Sequence, residues 1–261
     1  STLSSSSAAS DVYKRQLKQV ILADGTRIET DAVIFSIGYK ANSRLAQESG
    51  LALNKYGDIH VDHYGRTSIP GISAVGDCAQ SFGFVTGRSD VIKLASAATA
   101  EARVLGHNIF GIRIKKGISG TLGVFSTEIN GLAMAAAGAN ETNAAEANLD
   151  LISAKFSSPD RHPGTLSGTR ELTVKLYASP IDGTVLGGEA WGGKSAGEII
   201  NIISMAIQKS ITVYELVSFQ IGTHPLLTSS PVTNPIIRAA EEIIHKALQA
   251  QQQGYAKNET L

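Results

Sequence analysis

Three short stretches of the chain hold residues whose types and spacing suit chemistry. Residues 68–80 read SIPGISAVGDCAQ. The run from Ile72 to Val75 has the character of a short buried strand, and it stops at Gly76-Asp77 before helix-like sequence. A carboxylate at a buried strand end is costly without a partner. A helix N-terminus, a lysine or the hydroxyls of a ligand would each satisfy it. Residues Gly188 to Ser195, GEAWGGKS, match Gly-x(4)-Gly-Lys-Ser, the pattern of a loop whose backbone N–H groups cradle phosphates. His224 precedes Pro225, which pushes its backbone toward extended conformations and into a loop. Imidazole is the side chain best suited to moving protons near neutral pH.

The whole-chain properties bound what such residues serve. The chain has 261 residues, with 23 basic and 23 acidic side chains. A balanced charge leaves no electrostatic footprint for nucleic acid or an acidic membrane surface. Hydrophobic residues make up 43%, normal for a globular protein with a core. Cys78 is the one cysteine, which excludes an intrachain disulfide and a cysteine-based zinc site. The histidines His60, His63, His107, His162 and His245 show no metal-ligand spacing, so no metal is expected. No apolar run approaches the roughly 20 residues of a membrane helix, and a cytoplasmic protein is expected. The serine-rich residues 1–16 lack an apolar signal region and are set aside as a non-native or disordered leader.

The elements that must position these residues follow from pattern. LKQVILADGTRIE gives two strands around the Asp24-Gly25 turn, a hairpin signal. VIFSIG, residues 33–38, is a continuous apolar run fit for a strand buried on both faces. Residues 58–62 and 71–75 read as short strands. The spacing of Val91, Leu94, Ala95, Ala98, Ala102, Leu105 and Ile109 predicts an amphipathic helix, with Ser89 or Asp90 as N-cap. The glycine-rich stretch 111–120 is the expected domain joint. Beyond it, TLGVFST, LDLISAKF, ELTVKLYA and TVLGGEAW read as strands, the last two forming an antiparallel hairpin around SPIDG. Ser195 with Glu198, and Thr212 with Glu215, each form a capping-box pattern. Ile199, Ile202, Ile203 and Ala206 make the buried stripe of the first helix. Pro235 suits the first position of a last helix, with Ile236, Ala240, Ile243, Ile244 and Ala247 facing the core.

TSIPGISAVGDCAQ resembles the second FAD-binding motif of the pyridine nucleotide-disulfide oxidoreductases, Thr/Ser-x-x-Pro-Gly-Ile-x-Ala-x-Gly-Asp. Residues 31–62 look like the stretch that leads out of that family's NAD(P)H domain, with Ser36-Ile37-Gly38 for Ala-x-Gly and Ala41 for the usual Pro before Asn42. KLASAATAEARVLGHNIFG resembles the family's flavin-proximal helix, and the second half resembles its dimerisation domain. The resemblance implies that Asp77 accepts a hydrogen bond from a ribityl hydroxyl of FAD. Gly76 would permit close backbone approach, and Leu94 and Ala95 would begin the helix that nears the flavin. It also implies a homodimer and NAD(P)H as co-substrate. In the family's disulfide reductases a His-Pro near the C-terminus acts across the dimer as general acid–base, sometimes with the proline in cis. His224 is the matching residue, but Leu226 replaces Thr and Ser229 stands where Glu is usual.

No Gly-x-Gly-x-x-Gly follows a strand. The family's two dinucleotide fingerprints and its redox cysteines lie in its N-terminal part, so the chain is expected to be a C-terminal portion, inactive by itself. Cys78 is expected to be a small buried residue. The expected fold is α/β: a remnant of the FAD/NAD(P)-binding Rossmann-like domains, then an α+β dimerisation domain with an antiparallel sheet. The expected divisions are the end of the NAD(P)H domain at 17–45, part of the FAD domain at 46–113, the dimerisation domain at 117–250, and a loose tail at 251–261. The expected function is passage of a hydride from NAD(P)H through FAD to a disulfide, persulfide or other acceptor. Two alternatives stand beside it: nucleotide binding at Gly188–Ser195, weakened by Glu189 and the hairpin strand before it, and a non-catalytic dimerisation module.

Overall fold

The computed structural model describes residues 19–90, 92–114 and 118–258, so the expected leader, 1–16, lies outside the described residues. The chain divides into two compact units, Ser1–Lys40 and Ala41–Leu261.

In the first unit, β1 (Gln19–Ile21) and β2 (Arg27–Glu29) pair antiparallel, with Val20 opposite Ile28. The Asp24 carboxylate accepts the Thr26 N–H at 2.9 Å, and Gly25 takes φ +85°. This is the turn chemistry that Asp-Gly provides. The expected buried strand at 33–38 does not form. Ile34, Phe35 and Ile37 are 93%, 71% and 79% exposed, and the backbone there is irregular. A strand needs a neighbour to satisfy its N–H and C=O groups, and the described residues provide none for this run.

The second unit opens with a short helix, α1 (Arg44–Glu48). Residues 51–83 are held by isolated bridges, Leu53 to Ile59, Ile59 to Ala79 and Arg66 to Ser73, in place of the expected strands. A 3-10 turn, Gly76–Cys78, follows, then the two-residue strands β3 (Ser81–Phe82) and β4 (Ser89–Asp90). The helix α2 (Ala95–Asn108) starts later than expected. Ser89 and Asp90 belong to β4, and Leu94 occupies the N-cap position in extended conformation without side-chain capping. Its inner side is half-buried through Ala97, Ala98, Glu101, Val104 and Leu105, while Ala95, Ala102 and Ile109 face water.

The core belongs to a five-stranded sheet in the order β5 (Val124–Ile129), β6 (Leu132–Gly138), β9 (Val185–Gly192), β8 (Glu171–Ala178), β7 (Ile152–Pro159), antiparallel throughout. Along β8, Leu172, Val174, Leu176 and Ala178 alternate onto one face and are essentially inaccessible. They join a cluster with Ile200, Ile203 and Ile207 of α4 (Ala196–Gln208) and Ile236 and Ile243 of α6 (Pro235–Asn258). Each Leu, Val and Ile side chain among these contributes about 1.5–3 kcal/mol on burial. The buried side of α4 holds Ala196, Ile200, Ile203, Ala206 and Ile207, with Ile199 packed at its margin, so of the expected stripe Ile202 alone turns outward, at 37% exposed. Ser195 is helical at φ −64° and makes no side-chain cap. The second box does form: Thr212 and Glu215 cap α5 (Val213–Val217) reciprocally.

Two elements were not anticipated. The strand β6, LAMAAAG, is alanine-rich and reads as helix by propensity. Its small side chains let α4 approach the sheet. The helix α3 (Glu141–Ala147) is capped by Asn140 and Asn143 in a reciprocal box. At Gly187 an added Cβ would sit 1.9 Å from the Ala139 carbonyl oxygen, so only glycine fits where β9 passes the end of β6. The helix α6 continues to Asn258, so residues 251–258 are helical where a loose tail was expected.

Candidate flavin edge and histidine loop

The turn that carries Asp77 is built from its backbone. Gly76 takes φ +75°, a conformation that disfavours a side chain. A Cβ there would lie 3.1 Å from the Ala98 Cβ of α2. Glycine thus lets the turn lie against the helix, which is the close approach expected of it. The Gly76 N–H donates to Glu101 Oε2 at 2.8 Å. On the other side, the Ile59 N–H donates to the Cys78 carbonyl at 2.8 Å and the Gln80 N–H to the Ile59 carbonyl at 2.9 Å. Asp77 itself is exposed, and its carboxylate has no hydrogen bond or ion pair among the described residues. Among the described residues neither a lysine nor a helix N-terminus takes this carboxylate, and because it is exposed, not buried at a strand end as expected, it stands open to solvent.

Leu94 is half-buried and Ala95 exposed, one turn before the Ala98 contact. With no side chain capping α2, the first N–H groups of the helix stay available. Cys78 is half-buried, its Sγ 3.5 Å from the Val75 carbonyl.

Sequence reasoning missed two groups that hold this edge. Lys93 and Asp58 form an ion pair at 2.9 Å with side chains 2% and 4% exposed. Lys93 Nζ also donates to the Ala79 carbonyl at 3.1 Å, and Asp58 Oδ2 accepts from Asn54 Nδ2 at 3.0 Å. Glu101 is the second. Its signal was an acid on the inner side of an otherwise alanine-rich helix, and that of Lys93 a lone base just ahead of it.

The phosphate-loop pattern dissolves in three dimensions. Gly188 to Gly192 are strand residues of β9, paired with both β6 and β8. Glu189 Oε1 accepts from the Tyr177 hydroxyl at 3.1 Å. The backbone of residues 188–192 is paired in the sheet, where a phosphate loop would leave its N–H groups turned to a ligand. The same face carries a charged cluster that the sequence did not suggest. The Tyr177 hydroxyl also reaches Glu141 Oε2 at 2.8 Å, and Lys175 bonds Glu141. Hydrogen bonds from Lys175 and then Tyr177 hold the Glu141 carboxyl below its ordinary range. Burial, followed by the hydrogen bond to Glu141, pushes the Tyr177 phenol up.

His224 lies in an exposed loop. Its Nδ1 accepts the Leu226 N–H at 3.2 Å, and its carbonyl accepts the N–H groups of Leu227 and Thr228. The cis X–Pro bond of the described residues is His162–Pro163, so His224–Pro225 is trans, contrary to the cis option. Ser229, in the place of the usual Glu, is buried and accepts the Ser158 hydroxyl at 3.1 Å. It faces the core and holds no part of the imidazole. Among the described residues no three His, Cys, Asp or Glu side chains cluster as a metal site, and no helix is long and apolar enough to cross a membrane.

Residues 4–102 match the family model for pyridine nucleotide-disulphide oxidoreductase, and residues 124–235 match that family's dimerisation domain. The chain belongs to the pyridine nucleotide-disulphide oxidoreductase family. Among its relatives is an NADH oxidase of Methanocaldococcus jannaschii, 29% identical over 240 residues, covering 90% of this chain and 51% of the relative. An NAD(P)H sulfur oxidoreductase (CoA-dependent) of Pyrococcus furiosus is 27% identical, covering 85% of this chain and 49% of the relative. Among solved structures, an NAD-dependent persulfide reductase from A. fulgidus superposes with TM-score 0.79 at 31% identity, covering 87% of this chain and 41% of that one. The chain spans about half the length of the curated family members it matches. The family match also disposes of the phosphate-loop alternative, because residues 188–195 fall inside the dimerisation domain.

Proposed function

We propose that, within a full-length family member, this chain supplies the ribityl-binding edge of an FAD site and the domain through which two subunits pair. Asp77 carries the reading: an exposed carboxylate without a partner among the described residues, in the middle of a backbone turn held firmly against a helix. An acceptor so placed suits hydroxyl donors of a bound molecule, and a charge-assisted bond of that kind is worth about 1.5–3 kcal/mol. Gly76 keeps the backbone close, and Leu94 and Ala95 present the uncapped start of α2. The chemistry supplied by a bound FAD is acceptance of a hydride from NAD(P)H and delivery of its two electrons to a disulfide, persulfide or other acceptor. The names of the relatives, NADH oxidase and NAD(P)H sulfur oxidoreductase, favour this class.

The divisions at 17–45, 46–113 and 117–250 belong to the same reading, as the end of the NAD(P)H domain, part of the FAD domain and the pairing domain. The homodimer rests on the match of residues 124–235 to the dimerisation domain. Its physical support is apolar surface left open on the sheet domain, including Phe125, Ile129 and Leu132. His224 is the candidate acid–base, exposed but without a carboxylate to orient it.

The test is FAD retention by the full-length protein. Asp77→Ala is expected to weaken it by roughly tenfold or more, measured as flavin absorbance remaining after dilution and gel filtration. Unchanged flavin content would remove the assignment.

A further inference from the structure

We propose that Glu101 is a positioning residue for the Asp77 carboxylate, acting through the backbone of Gly76. The proposal rests on the reading that Asp77 accepts hydroxyls of the flavin. Among the described residues no bond fixes the direction of the Asp77 carboxylate, so its aim is set by the turn that carries it. That turn is held at both ends by ionic side chains. Upstream, the Gly76 N–H is taken by Glu101 Oε2 at 2.8 Å. Downstream, the Ala79 carbonyl is taken by Lys93 Nζ at 3.1 Å, and Lys93 is neutralised by buried Asp58.

The Glu101 carboxylate is itself fixed. Its Oε1 accepts the Thr121 hydroxyl at 3.2 Å. Thr121 is 5% exposed, and its backbone is bonded both to Phe82 and from Phe84, at 2.7 and 3.0 Å. One carboxylate therefore spans Gly76, α2 and the residue that opens the second half of the chain. Hydrogen-bond strength falls steeply with misalignment, and a site held within about 0.5 Å of its productive geometry needs support behind the contacting group. Glu101 is that support. An alanine in its place leaves the Gly76 N–H without an acceptor and lets the turn swing.

Amide hydrogen exchange in the 261-residue chain, read residue by residue by NMR, is the first measurement. Glu101→Ala is expected to speed exchange at Gly76 roughly tenfold, with Leu176 of the sheet core unchanged. Glu101→Gln keeps an acceptor oxygen and is expected to restore most of the protection. Unchanged exchange at Gly76 in Glu101→Ala overturns the proposal, and if Glu101→Ala also loosens Leu176, Glu101→Leu, which keeps the bulk and has no acceptor, is read in its place by the same criterion. The second measurement is FAD retention by the full-length protein. Glu101→Ala is expected to weaken it, and adding it to Asp77→Ala is expected to cost nothing further, since the two act as one unit. Faster exchange with undiminished retention overturns the positioning role while leaving Asp77 in place. Undiminished retention in Asp77→Ala alone overturns the flavin reading itself, and the proposal with it.

Discussion

Lys93 and Asp58 meet as a buried ion pair, Nζ to Oδ1 at 2.9 Å, beneath the turn that presents Asp77. Thirty-five residues separate them in sequence. Their pairing joins the 54–58 turn to the segment that leads into α2. Removing one partner strands the other charge away from water, at a cost of about 3–5 kcal/mol. Lys93→Met should therefore destabilise strongly in urea unfolding, whereas Lys93→Met with Asp58→Leu should recover much of the loss. Equal stability of Lys93→Met and the native chain would show that the pair is not closed in solution.

The Glu141 cluster predicts a small acid sensitivity. Its carboxyl is held below the ordinary value of 4.5 by Lys175 and Tyr177. A folded-state value depressed in this way adds stability above the unfolded value and loses it as pH falls through the folded one. The side chain is 63% exposed, so screening limits the effect to about 0.2–1 kcal/mol. Thermal midpoints measured from pH 7 down to pH 3 should fall less steeply for Glu141→Gln than for the native chain. Parallel curves would contradict the assignment.

The trans His224–Pro225 loop predicts a modest kinetic role. With Ser229 turned into the core, no carboxylate among the described residues orients the imidazole. His224→Gln in the full-length enzyme should leave flavin reduction by NAD(P)H unchanged and slow disulfide reduction by less than the 10²–10⁴-fold typical of a positioned acid–base. No change in either half-reaction would remove His224 from the chemistry and favour an oxidase role.

Pairing is expected at micromolar concentration. Sedimentation should find the sheet domain dimeric, and Ile129→Asp, on an exposed position of β5, should shift the balance toward monomer. A native chain that sediments as a monomer at high micromolar concentration would argue against the dimer.

Much of the sheet domain was legible in the sequence because its signals are local. The β8–β9 hairpin follows from alternation around SPIDG, and α5 and α6 from Thr212 and Pro235. The strand β6 was hidden because Ala135, Ala136 and Ala137 carry no strand preference of their own and take it from two neighbours. The Asp77 turn was legible only in part: Gly76 and Asp77 marked a change of direction, but in place of a strand before it and a helix after it stand an isolated bridge and a 3-10 turn. Glu101 and Lys93 were not legible, because what they bond, Gly76 and Asp58, is brought near only by folding. The stretch at 33–38 misled because apolar content specifies a wish for burial and not the strand that would grant it.

The helix α6 is, thermodynamically, two objects. Up to Ala247 it is glued to the sheet; from Leu248 to Gln253 every side chain faces water. At about 1.5 Å per residue, the stretch from Leu248 to Gln253 extends roughly 9 Å past the last packed turn. A helix without a surface to lean on is marginal at that length. Its outer turns should melt ahead of the core on warming, as a gradual non-cooperative slope in helical ellipticity before the main transition.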